Sequence, residues 1–592
     1  MRKTLATLVL AWMYGATGAP TATGAPTDAG APTDLAAARA VFDQNIDAIR
    51  RRDRARYLSL YLNSERLVRG GPAGFSTGYD EFARGAGAQW PDTIEATDIR
   101  LTPVQPGIVY GTYRYRVRYG SEEHSGISER LFVKTDDGWK IALTGAIDSP
   151  PNTPAPPRAI AGATLIDGRG GPPLAGAVVV TRDGKIDCAG QCDVPPGTDV
   201  VDGKGMWITP GLIDAHVHFS QTAWADGRPD ALDARATHPY EKTIGELKTD
   251  PHRYGRSYLC SGVTTVFDVG GYPWTLQIAN RFAGDMSVPR VVAAGPLLST
   301  LDHWVNLPAE RQFIHLKDEE SGRSGVRYLA AQNAKAVKVW YLNENAAAIR
   351  AAGDEARKHN LPLIVHATDL SQAKEALRAG AKLLVHSVWD VPVDQELIDL
   401  MKRNDAIYTP TLTVARGYVR MFQGVVDRKA PRIDDPNGCV DAATRARVAA
   451  TASVSAPNVK AEDVARRDQR TAERERVFDA NLRTLVAAGV SIATGTDAGN
   501  PMTLHGPSIF AEMEAMQRAG MTPMQVIVAS TAVAARAAGV QNDTGTIEKG
   551  KSADLVLLGA DPSKDVANFR KTRYVMRGGV LRSMEDLSAL AK

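Results

Sequence analysis

Three things are scarce in this chain of 592 residues, and each scarcity removes a class of function. The first is excess charge: 70 Lys and Arg stand against 67 Asp and Glu, a formal balance of +3. Nothing in that balance calls for nucleic acid, an anionic membrane or a polyacidic partner, so a small-molecule substrate is expected. The second is any long apolar run. The longest candidate, Leu5 to Met13, is well short of the roughly 20 residues that span a bilayer. The third is cysteine, of which there are four. Cys188 and Cys192 form a Cys-x3-Cys pair that is suited to a short disulfide in an oxidising compartment. Without a second nearby pair or a companion histidine they lack the usual ligand set of a cysteine zinc site. Cys260 and Cys439 read as buried thiols.

What is present begins with an export signal. Arg2 and Lys3 precede the apolar stretch, and Ala16-Thr17-Gly18-Ala19 supplies small residues for cleavage near position 19. The expectation is therefore a periplasmic or secreted protein that keeps no membrane contact once cleaved. A Gly-Ala-Pro-Thr repeat at Gly18, Gly24 and Gly30 cannot bury enough surface to fold, so 20–33 reads as a tether.

From 34 to 149 the pattern is one amphipathic helix, Leu35 to about Leu62, then strands Ile94–Leu101, Ile108–Tyr119, Gly126–Thr135 and Trp139–Gly145. His124 falls in an apparent turn and reads as a solvated loop residue. A helix followed by curved antiparallel strands resembles the cone-shaped SnoaL or nuclear-transport-factor-like α+β fold. Pro-rich residues 150–158 then mark a domain boundary.

Short β-like runs between Ala159 and Ile208 lead into Gly211-Leu-Ile-Asp-Ala-His-Val-His218. Two histidines at i and i+2 project from the same side of a strand, so both imidazoles can reach one divalent ion. Seven further apolar runs alternate with helical stretches: Thr264–Val269, Arg290–Ala294, Ala334–Trp340, Leu361–His366, Lys382–His386, Ala406–Thr409 and Val490–Thr496. With the His-x-His strand they make the eight strands of a (β/α)8 barrel, whose active site sits at the strand carboxyl ends. Lys338, His366, His386 and Asp497 fall at or near those ends.

The motif Gly211–His218, this order of ligand-type residues, and Thr544-Gly-Thr-Ile-Glu-Lys-Gly-Lys-Ser-Ala-Asp-Leu-Val-Leu-Leu558 together resemble the amidohydrolase superfamily. Within it, the set with Lys338, His366 and His386 looks like the imidazolonepropionase-related and the dipeptidase or prolidase-like branches. The resemblance implies an α/β fold. A TIM barrel over 209–544 is joined to a discontinuous small β-sandwich domain built from 159–208 and 545–592, and the cone-shaped domain precedes both. It also implies His216, His218, His366, His386 and Asp497 as metal-centre residues, with Asp497 also the acid/base group.

Imidazoles and a carboxylate suit Zn2+, which lowers the pKa of a bound water to about 7. An ammonium beside a dication is electrostatically prohibitive, so Lys338 joins the ligand set only if carboxylated, and the centre then holds two ions rather than one. His505, in the loop after the eighth strand, is expected to position substrate. Tyr341, His303 and Trp304 are candidate pocket residues.

The reaction implied is hydrolysis of the amide C–N bond of a small molecule, such as a dipeptide or N-acyl amino acid, by a metal-activated hydroxide. Lactone or ester hydrolysis at the same centre is the enzymatic alternative, and a non-catalytic ligand-binding protein the alternative of another class. A charged helical insertion at about 411–477 departs from the family pattern. It is expected to act as a lid or as the contact of a homo-oligomer, its charges forming a solvated face.

Overall fold

The computed structural model describes residues 31–591 except 72–73, 88, 121, 150–156, 303–304 and 343–344. The expected signal 1–19, the tether up to residue 30, most of the Pro-rich linker, and His303 and Trp304 lie outside the described residues. The chain divides into two compact units at Thr153/Pro154.

In the first unit the helix starts at Ala31, inside the stretch read as tether, and ends at Arg51. The single helix expected to run to about Leu62 is broken there. Arg52 takes a left-handed φ of 57°, and the Asp53 carboxylate accepts from Arg56 N at 3.0 Å, which caps a new helix Arg54–Ser59. The long helix lays Phe42 and Ile46 against Val109, Phe132 and Ile141 of a six-stranded sheet. The sheet includes two short strands, Val68–Gly71 and Gly74–Thr77, that have no clear sequence signal. His124 lies in the strand Glu122–Thr135 opposite Val117, not in a turn. The apparent turn residues extend a hairpin that continues Ile108–Tyr119.

In the second unit, Trp207–Pro210 near the start pairs antiparallel with Leu555–Leu558 near the end. Two distant segments thus share one continuous eight-stranded sheet with its own apolar core around Ile160, Val179, Ile208, Leu555 and Met576.

All eight runs read as barrel strands form parallel strands. They are Leu212–Val217, Val263–Asp268, Arg290–Ala293 with Leu297–Ser299, Val337–Trp340, Leu363–His366, Leu383–Val385, Ile407–Thr409 and Ser491–Ile492. The third is interrupted at Gly295, whose φ of 73° swings the chain so that its first half pairs with the second strand and its second half with the fourth. Ala215 N donating to Thr494 O at 3.0 Å, and a bridge between Val217 and Ala498, close the ring between strands one and eight. The barrel interior is apolar below the site, with Ile213, Ala215, Phe267, Ile364 and Val385 in one cluster.

The insertion folds as helices Val414–Val426 and Ala442–Ala450 plus the first half of Ala461–Ala487. Cys260 and Cys439 are not free thiols: they form a disulfide across 179 residues of sequence, which fastens the insertion to the end of helix His252–Cys260. Cys188 and Cys192 form the second. A pairing over that separation has no local sequence signal, which is why only the short pair was legible. Among the described residues no helix is long and apolar enough to cross a membrane.

Cross-linking this large loop restricts the unfolded chain, so Cys439→Ser is expected to lower stability by about 2–5 kcal/mol. Chemical denaturation of wild type and variant checks it. Identical midpoints would mean that the insertion is held without the bridge.

Candidate metal centre

The first barrel strand is buried at every position from Leu212 to Val217. The register shifts between Asp214 and Val217, and across that irregularity His216 and His218 both line the cavity. His216 and His218 bring their Nε2 atoms within 3.3 Å of each other. His218 Nδ1 donates to Gly270 O at 2.6 Å, which fixes the tautomer and leaves the Nε2 lone pair free. Asp497 follows the eighth strand, and its N–H donates to His216 O at 2.8 Å. Gly495 permits that approach, because a Cβ there would stand 2.7 Å from His216 Cβ.

Asp497 Oδ1 lies 3.3 Å from His216 Nε2 and 3.1 Å from His218 Nε2, yet it is buried without a hydrogen bond in acceptable geometry. These three donor atoms form a cluster able to hold a metal ion. Electron pairs facing one another at such distances repel unless a cation lies between them, and this orphaned carboxylate oxygen is the observation that fits a metal to the site.

The other expected ligands are adjacent. His386 Nδ1 is 3.9 Å from Asp497 Oδ2, and its ring lies 4.9 Å from that of His216 and 4.3 Å from that of His366. Asp497 and His386 both have left-handed backbones, with φ of 61° and 74°, which is strain held at the ends of barrel strands.

Charge follows burial. Burial and the Lys338 charge push His216 down to about 3, and the same two causes hold His366 well below the ordinary imidazole value. Burial and the neighbouring His366 do the same for His386. All three rings are neutral, the form that binds metal. Burial alone would raise the Asp497 carboxyl, but the surrounding imidazoles hold it well below the usual carboxylate range. Lys338 is 2% exposed and lines the cavity, and burial pushes its ammonium down to about 7 against the pull of Asp497. A lysine this buried neither reaches out of the barrel nor forms an ion pair with any described carboxylate.

Two of the residues expected in the pocket stand elsewhere. Tyr341 is fully buried outside the cavity, in the layer between strands and helices, where its hydroxyl donates to Glu375 and accepts from Asn345 N at 2.9 Å. Alternation explains the displacement: Lys338 and Trp340 face the cavity, so Tyr341 faces the helices. His505 lies behind the metal-binding residues. Its ring stacks on Tyr254 at 3.7 Å and 9°, and its Nε2 donates to His218 O at 3.1 Å. It holds the His218 carbonyl and is not among the residues that line the cavity.

Several supporting residues went unread in the sequence. Asp214 accepts from His216 N at 3.3 Å, Thr496 N at 3.0 Å and Thr496 Oγ at 2.6 Å, which clamps strand one to strand eight. Its place two residues before His216 in the His-x-His strand was the available signal. Asp268 accepts from Phe219 N at 3.1 Å and Gly270 N at 3.0 Å, fixing the carbonyl that orients His218. Thr411 Oγ1 lies 2.7 Å from His386 Nδ1. Fully buried Glu512 accepts from Leu412 N and Thr413 N at 2.6 and 3.0 Å, holding the chain just after Thr411.

Above these residues opens a cavity of ≈490 Å³ that Trp340, Trp389, Arg228, Tyr418 and helix Ala461–Ala487 also line. Arg228 is spent on Asp230, at 2.8 and 2.7 Å, and on Asn500.

Residues 207–582, more than half the chain, match the model of the amidohydrolase family. The ochratoxinase of Aspergillus niger is 26% identical over 459 residues, covering 69% of this chain and 84% of that protein. An imidazolonepropionase of Shouchella clausii is 41% identical over 124 residues, 18% of this chain and 26% of its own length. Among solved structures, a Xaa-Pro dipeptidase with bound methionine superposes with a TM-score of 0.56 at 22% identity, covering 72% of this chain and all of that one.

Asp214→Ala leaves three buried donors without an acceptor. At about 1–3 kcal/mol each, less what the site recovers by relaxing, the expected loss of stability is roughly 3–5 kcal/mol by urea unfolding. A change below about 1 kcal/mol would show that the clamp between strands one and eight is dispensable.

Proposed function

The chain belongs to the amidohydrolase family, and we propose that it is an exported metal-dependent hydrolase cleaving the amide bond of a dipeptide or N-acyl amino acid. The observation that carries the reading is the convergence of His216 Nε2, His218 Nε2 and the orphaned Asp497 Oδ1 in one buried cluster at the barrel's strand ends.

His216, His218 and Asp497 would hold one ion. His366, His386 and Lys338 are within the same cavity to hold a second, and Lys338 joins them as a carbamate. Its burial-lowered basicity favours that modification, because the neutral amine is the form that adds CO2. Zn2+ suits this set of nitrogen and oxygen donors, and when bound it supplies Lewis acidity and a water acidic near neutrality.

The chain's own groups do the rest. The carboxylate of Asp497, ionised at neutral pH, takes the proton of the attacking water and returns it to the leaving nitrogen. His218 is held by Gly270 O and, through its own carbonyl, by His505, so Nε2 keeps its aim during that transfer. The cavity walls, with Trp340 and Trp389, exclude bulk water and give the acyl side an apolar surface.

Two disulfides support export, since such bonds persist in oxidising compartments. A helix packed on a six-stranded sheet supports the cone-fold reading of the first unit.

The test is metal content with activity. Protein purified with Zn2+ and bicarbonate is expected to carry about two ions per chain and to hydrolyse dipeptides, and Lys338→Ala to carry about one or fewer with activity lost. One ion in both proteins would leave a mononuclear site on the histidines and Asp497. No ion in wild type, or faster cleavage of matched esters than amides, would overturn the reading.

A further inference from the structure

One wall of the cavity carries positive charge that no described carboxylate pairs with. Helix Ala461–Ala487 turns Arg467, Arg470, Thr471 and Arg474 toward the cavity, at the i, i+3, i+4 and i+7 spacing of a single helix face. The same helix also bears acidic residues, and the four nearest the arginines are engaged elsewhere. Asp468 and Glu475 both bind Arg416 of helix Val414–Val426, Asp463 binds Arg466, and Glu473 accepts from Gln469. No described carboxylate lies within 4.0 Å of Arg467, Arg470 or Arg474.

Two of the three are held by rings instead. The Arg467 guanidinium sits 4.7 Å from the centre of Phe422, and that of Arg474 4.2 Å from Trp389. Burial and the charges of Arg470 and Arg474 push the Arg467 guanidinium below its ordinary value, so the three repel one another. The carboxylates that line the cavity do not relieve this, because Asp230 is bound to Arg228 and Asp497 is held among the imidazoles.

Three like charges, two of them held by aromatic faces, on the wall of a cavity that opens onto the candidate metal centre match an anionic ligand that extends from the scissile amide to this wall. Resting on the amide-hydrolase reading above, we propose that the enzyme takes acidic substrates. The class is dipeptides and N-acyl amino acids that carry a side-chain carboxylate in addition to the main-chain one, with Arg467, Arg470 and Arg474 as the specificity residues that receive the negative charge.

Ala-Glu and Ala-Gln differ in charge and hardly in shape, so their ratio of kcat/KM reads this wall alone. A ratio of roughly 10–100 in favour of Ala-Glu is expected for wild type, carried mainly by KM, as a charge-assisted contact replaces a neutral one. The triple variant Arg467→Gln, Arg470→Gln, Arg474→Gln is expected to bring that ratio to about 1 with bound metal unchanged, while the corresponding triple lysine variant keeps a preference for Ala-Glu. Equal rates on both dipeptides in wild type would overturn the inference and leave the amide-hydrolase reading intact. If neither dipeptide is cleaved, that reading fails, and calorimetric titration with glutarate still decides the wall. Binding by wild type that the glutamine variant loses supports it, and no binding by wild type overturns it.

Discussion

Everything at the barrel mouth follows from forcing electron-rich atoms together. Two imidazole nitrogens 3.3 Å apart and a deeply buried carboxylate oxygen within 3.3 Å of both, itself without a hydrogen bond, are an unfavourable arrangement that a fold keeps only if other contacts fix each atom in place. Those contacts are visible. Asp214 binds the backbone on both sides of the gap between strands one and eight, Asp268 and Gly270 fix the His218 ring, and His505 takes the His218 carbonyl. Two of the residues so held, Asp497 and His386, also have left-handed backbones. Strain and support therefore coincide at the positions where a cation would relieve the repulsion.

Burial disfavours the charged form of every basic group in this cluster. It makes imidazolium costly, which keeps the histidines as neutral donors, and it makes the Lys338 ammonium costly, which leaves a reactive amine near neutrality. Asp497 alone remains charged, because the imidazoles around it outweigh the cost of burying its carboxylate. A single low-dielectric pocket thus prepares the histidines and the lysine, and the histidines in turn keep the acid/base carboxylate ionised.

The barrel was legible because parallel strands buried on both faces leave apolar runs of recognisable length, and because the ligand residues stand at their ends. The His-x-His spacing and the approach of Asp497 to it were readable for the same reason. The errors came where side-chain direction or long-range pairing decides. Tyr341 is one residue beyond Trp340, and that single step turns it out of the cavity. His505 is in the expected loop but stacks on Tyr254, a contact across 251 positions that no local pattern encodes. The Cys260–Cys439 bridge is hidden by the same distance. The helix expected over Leu35 to about Leu62 is broken by local chemistry that the apolar period obscures, a carboxylate at Asp53 placed to cap a second helix.

The insertion shows how a surface pattern can mislead. Its mixture of arginines and acids reads as a solvated face. In three dimensions the charges separate. Arg416 draws Asp468 and Glu475 to one side of helix Ala461–Ala487, and the cavity side keeps only cations. The segment that holds this arrangement is tied to the barrel by the disulfide at Cys439 and by Ser257 Oγ donating to Cys439 O at 2.5 Å. A wall that carried its charges on a loose loop would lose them to solvent and to its own carboxylates. Fastening the insertion to the barrel keeps the segregated charges at a fixed place beside the reacting centre, and it is there that a field can discriminate between substrates.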